Sequence, residues 1–111
     1  MRGALLAVAL LPYLGLAARD GWMHAHDRQV PRAEQWLHAG IFVGVSAAVY
    51  AAFLAGTPLM LAALCLLVPC VLADELGFHG PLDVRERRLH FAAYSALAAF
   101  LACWWLTRDM A

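Results

Sequence analysis

The chain has 111 residues and a formal net charge of zero; 64% of its positions are hydrophobic, 14% are charged, and there is no lysine. A soluble domain is about half apolar and about a quarter charged, so the composition argues against a water-soluble globule, and the balanced charge argues against an electrostatic nucleic-acid binder. One domain spanning 1–111, integral to a membrane, is the expectation.

The first apolar segment runs from Gly3 to Ala18, between Arg2 and Arg19-Asp20. Its basic start and the small residues near Ala17 resemble a secretory signal, but we read it as the first membrane helix, over about residues 3–24. The second segment holds the uninterrupted stretch 39–56, AGIFVGVSAAVYAAFLAG, and predicts a helix over 32–56. Gly56-Thr57-Pro58 then makes a tight turn, with Thr57 as cap and Pro58 in the first turn of a third helix over 58–78. A fourth helix is expected over 83–108. Ala and Leu dominate and nothing alternates, which excludes a membrane β-barrel. Gly40 and Gly44 form a GxxxG, suited to close helix approach or to a homodimer. Trp22, Trp36, Trp104 and Trp105 fall near the two interfaces, as an aromatic belt would place them.

Four spans put the two long polar connections, 19–35 and 74–88, on the same side of the membrane. Six of the eight arginines (19, 28, 32, 85, 87 and 88) flank those connections. By the positive-inside rule this end is cytoplasmic, in an inner (cytoplasmic) membrane, with both termini outside.

The polar end carries the chemistry. A carboxylate is followed four residues later by a histidine at Asp20/His24, Glu34/His38, Glu75/His79 and Glu86/His90. Residues four apart share a helix face, so each pair aims two metal-ligating groups the same way. The pairs also mark a duplication. Glu34-Gln-Trp-Leu-His38 matches Glu86-Arg-Arg-Leu-His90, and the segment around Asp20 and His24 matches the one around Glu75 and His79. The expected fold is therefore an all-α integral membrane protein, a four-transmembrane-helix bundle of two tandem pseudo-symmetric hairpins related by an axis along the membrane normal.

Other roles compete for the same residues. Asp83 and Glu86 form a capping box, Glu34 suits a helix first turn, and Asp20 and Glu75 are natural partners of interfacial arginines. Four pairs on one side favour a metal centre, because buried acids and imidazoles need partners. Carboxylate with imidazole suits zinc, iron or manganese, with zinc or iron preferred. The arrangement resembles in architecture the dinuclear carboxylate sites of helical bundles, although the spacing here is Glu-x-x-x-His rather than Glu-x-x-His. Two divalent ions bridged by Glu34 and Glu86, with the histidines as terminal ligands, are one expectation, and a single ion bound by His38, His90 and two other ligands is the other. Whether His26, Asp74 or Tyr94 joins the site stays open. Cys65, Cys70 and Cys103 read as small buried apolar residues.

Such a centre implies a metal-dependent membrane enzyme, an oxidoreductase or hydrolase, acting on an apolar small molecule from the lipid bilayer. One alternative is electron transfer through a haem held by His38 and His90. Another is a cofactor-free transporter or subunit of a larger membrane complex. The size resembles that of small multidrug exporters, but the first span lacks the membrane-embedded glutamate that family requires.

Overall fold

The computed structural model describes residues 1–26, 32–77 and 84–109, and every regular element among them is helical. Helix α1 spans Arg2–His26, α2 Arg32–Tyr50, α3 Thr57–Gly77 and α4 Val84–Thr107. Leu- and Ala-rich sequence favours these long helices, since neither side chain loses much rotamer freedom against the preceding turn. Pro12 and Pro69 lie inside α1 and α3 without ending them.

Helix α2 does not stop at Tyr50 but widens into a π-helical turn, Ala51–Ala55. The amide of Gly56 donates to Ala51 O across 2.8 Å, and the Gly56 carbonyl accepts from the Met60 amide at 3.2 Å. Gly56 has φ +90°, a conformation that costs a side-chain-bearing residue far more than glycine. The glycine therefore ends one helix and opens the next. Thr57, expected as the cap, is instead the first residue of α3, with Pro58 in its first turn.

The helices associate as two compact units, α1 with α4 and α2 with α3. In the α2–α3 unit the GxxxG lies on the seam. A Cβ placed on Gly44 would stand 2.9 Å from Leu67 Cβ and 3.1 Å from its Cα, and one on Gly40 would stand 2.7 Å from Cys70 Sγ. The two glycines thus serve contact within this hairpin. In the α1–α4 unit, α4 buries Glu86, Leu89, His90, Ala93, Leu97, Phe100 and Trp104, a stripe recurring every three or four residues. Helix α1 contributes Leu6, Leu10 and Tyr13 at the same period.

Outward faces are apolar. Val8, Leu11, Phe42, Leu54, Phe91 and Leu106 are each more than 60% exposed. All four helices are long and apolar enough to cross a bilayer, and no more than 33% of any apolar span is buried within the protein. The buried polar groups, by contrast, include Glu34, Asp74, Glu86 and His90. Greasy outside and acidic inside is the reverse of a water-soluble bundle.

Candidate metal centre

Glu34 is the third residue of α2 and the acidic residue of its first turn, where the helix dipole favours a carboxylate. His38 follows one turn on and presents the same face. Helix α3 packs alongside and brings Asp74, near its C-terminal end, to the start of α2. The Nε2 of His38 donates to Oδ2 of Asp74 at 3.2 Å and lies 3.6 Å from Oε1 of Glu34. One ligand atom from each of the three residues falls within 4.8 Å of the other two.

The two His38 separations fall where the ligands of a common ion would stand, and the two acids lie within 4.8 Å of each other. Ligands about 2.1 Å from a metal, at angles of roughly 100–120°, stand about 3.2–3.6 Å apart. Electrostatics argue the same way. Glu34 and Asp74 are each only 1% exposed, and two carboxylates withdrawn together from solvent need compensating positive charge. A protonated His38 supplies one unit, whereas a divalent ion beside neutral imidazole balances both acids. Access is from the imidazole side, where the His38 side chain is 30% exposed.

The α1–α4 unit carries the same residue types in the same helix positions. Glu86 is the third residue of α4, His90 the seventh, and Asp20 reaches them from α1. Here the geometry is different: His90 Nε2 donates to Asp20 Oδ1 at 2.6 Å, while Glu86 Oε1 stays 4.0 Å away. A contact of 2.6 Å is a tight charge-assisted hydrogen bond, and these three residues do not form a second three-ligand group among the described residues. The Tyr94 ring, centred 6.2 Å from the His90 ring, packs at the edge of this cluster.

Of the residues expected at the centre, Glu34 and His38 meet within the α2–α3 unit, and Asp20, Glu86 and His90 within the α1–α4 unit. Glu34 is described within the α2–α3 unit and Glu86 within the α1–α4 unit. Glu75 is half-buried, one position from Asp74, and is not part of the three-ligand group among the described residues. His79 and Asp83 lie outside the described residues, as do the side chains of His24 and His26.

Asp74, left open by the sequence, completes the candidate group from α3. The signal was helical phase. Met60, Ala63, Leu67 and Asp74 are all buried at steps of three, four and seven, while Glu75 sits about 100° around the helix from that stripe. No family model matches the chain, and comparison with curated proteins and with solved structures likewise returns no match.

Proposed function

We propose that this chain is an integral membrane metalloprotein whose α2–α3 hairpin holds one divalent ion, zinc or iron, through Glu34, His38 and Asp74. The observation that carries the reading is the convergence of two acids, each 1% exposed, and one imidazole within 4.8 Å of one another. Three protein ligands around such an ion leave a coordination position open, the arrangement of catalytic rather than structural sites. A metal there supplies Lewis acidity or a lowered pKa for bound water. The chain itself sets the ligand angles, excludes water through the apolar seam behind the two acids, and leaves the His38 side accessible. An apolar substrate entering from the bilayer fits the lipid-like exterior, and metal-dependent oxidation or hydrolysis is the reaction class.

Haem ligation is less well supported. Both candidate axial histidines direct Nε2, the usual axial nitrogen, at an aspartate within 3.2 Å.

Elemental analysis of the detergent-purified protein tests the reading. About one zinc or iron per chain is expected in the wild type, with most of it lost in Asp74→Asn and in His38→Ala. Wild-type protein that stays metal-free after incubation with either ion, at unchanged thermal stability, overturns it.

A further inference from the structure

Three arginines lie together on the α1–α4 unit. Arg19 of α1 and Arg85 and Arg88 of α4 line a groove of about 510 Å³ between the two helices. Each arginine is exposed. No carboxylate belongs to the lining, although Asp20 and Glu86 are the chain neighbours of Arg19 and Arg85. Helix geometry separates them, because successive residues point about 100° apart. Asp20 and Glu86 lie beside His90, whereas Arg19, Arg85 and Arg88 line the groove.

The rest of the lining is apolar. Leu16 and Met23 continue the Arg19 stripe on α1 at steps of three and four, and on α4 Leu89 follows Arg85 and Ala92 follows Arg88, each by four residues. Leu16 and Ala92 lie further along their helices toward the apolar middle of the spans Arg2–Met23 and Val84–Thr107. The groove is therefore cationic near one end of the hairpin and greasy below it. Its volume is in the range of ordinary ligand sites, roughly 300–1,000 Å³.

We propose that this groove is a binding site for an anionic phospholipid, with the phosphate held by Arg19, Arg85 and Arg88 and the first carbons of an acyl chain lying against Leu16, Leu89 and Ala92. Guanidinium groups bind phosphate through paired N–H donors, and several of them around one headgroup distinguish a net anionic lipid from a zwitterionic one. Basic pockets between membrane helices are suited to such headgroups. The groove shares no residue with the Glu34–His38–Asp74 centre, so the two proposals stand or fall independently.

Purified protein reconstituted in vesicles of equal parts phosphatidylglycerol and phosphatidylcholine, then released for native mass spectrometry, tests it. Phosphatidylglycerol should remain bound in at least about fivefold preference over phosphatidylcholine, with retention falling about fivefold for each arginine neutralised. Arg19→Gln, Arg85→Gln and Arg88→Gln together should remove the preference, whereas Arg32→Gln and Arg108→Gln, exposed arginines outside the groove, should leave it intact. These substitutions are at exposed positions, and unchanged thermal unfolding of the triple variant confirms that its fold survives. Equal retention of the two lipids overturns the proposal, as does a triple variant that binds phosphatidylglycerol like the wild type. Displacement of the lipid by millimolar inorganic phosphate also overturns it, since it would make the groove a site for the free anion.

Discussion

Nε2 of His90 on α4 stands 2.6 Å from Oδ1 of Asp20 on α1, a hydrogen bond that joins residues 70 positions apart. The histidine side chain is 5% exposed and the aspartate 28%. Glu86, one turn before His90, closes the acidic side of the cluster at 4.0 Å. This bond ties the ends of the α1–α4 hairpin together. Replacing His90 by Ala should lower the unfolding free energy by about 1–3 kcal/mol, because a half-buried aspartate then loses its donor. Asp20→Asn, which still accepts from the imidazole, should cost less than half as much. Denaturant titration in detergent separates the two, and equal losses would mean that the bond contributes nothing specific.

The helix seam between α2 and α3 makes a sharper distinction. Gly40→Ala would meet only the Sγ of Cys70 at 2.7 Å, a side-chain atom, and the Cβ of Cys70 at 3.7 Å is an ordinary contact. Adding Cys70→Ala should therefore restore the stability that Gly40→Ala loses. Gly44→Ala meets Leu67 Cβ at 2.9 Å, Cα at 3.1 Å and N at 3.2 Å. Backbone cannot step aside, so Leu67→Ala should give no rescue, and Gly44→Ala alone should cost about 1–3 kcal/mol. Thermal unfolding of the four variants reads the difference.

Ion binding should be visible as stability. A ligand at about 100 times its dissociation constant, absent from the unfolded chain, adds about 2.7 kcal/mol. Adding zinc to the metal-depleted protein should raise its melting temperature, and a chelator should reverse the rise. In His38→Ala both responses should vanish, because two carboxylates without the imidazole make a far weaker site for zinc. A His38→Ala protein that responds like the wild type would move the ion elsewhere.

Phe100 and Phe91 lie on the same helix with opposite surroundings, 0% and 76% exposed. Phe100→Ala leaves a cavity in packed protein and should cost about 3 kcal/mol or more. Phe91→Ala removes a ring from the outer face and should cost under about 0.5 kcal/mol. Comparable losses would show that Phe91 packs against another protein surface.

The four helices were legible in the chain because membrane-length apolar segments admit few alternatives, and breaks at charged or glycine-containing stretches bound them. Glu34/His38 and Glu86/His90 were legible as pairs because both members share one helix, where a four-residue step fixes their common face. Asp74 was not. It differs from Glu75 only in phase along α3, and phase acquires meaning once the neighbouring helix is known.

From sequence alone, then, this protein is a set of four long apolar helices whose acids and histidines crowd toward their polar ends, since those properties depend on composition and on spacing within one helix. Tertiary structure decided which helix lies against which: α1 beside α4 and α2 beside α3. That choice gives His38 the carboxylate of Asp74 at 3.2 Å and His90 that of Asp20 at 2.6 Å. How closely two helices approach depends on the residues between them, and Gly40 and Gly44 set that closeness for α2 and α3. No pattern confined to a single segment contains it.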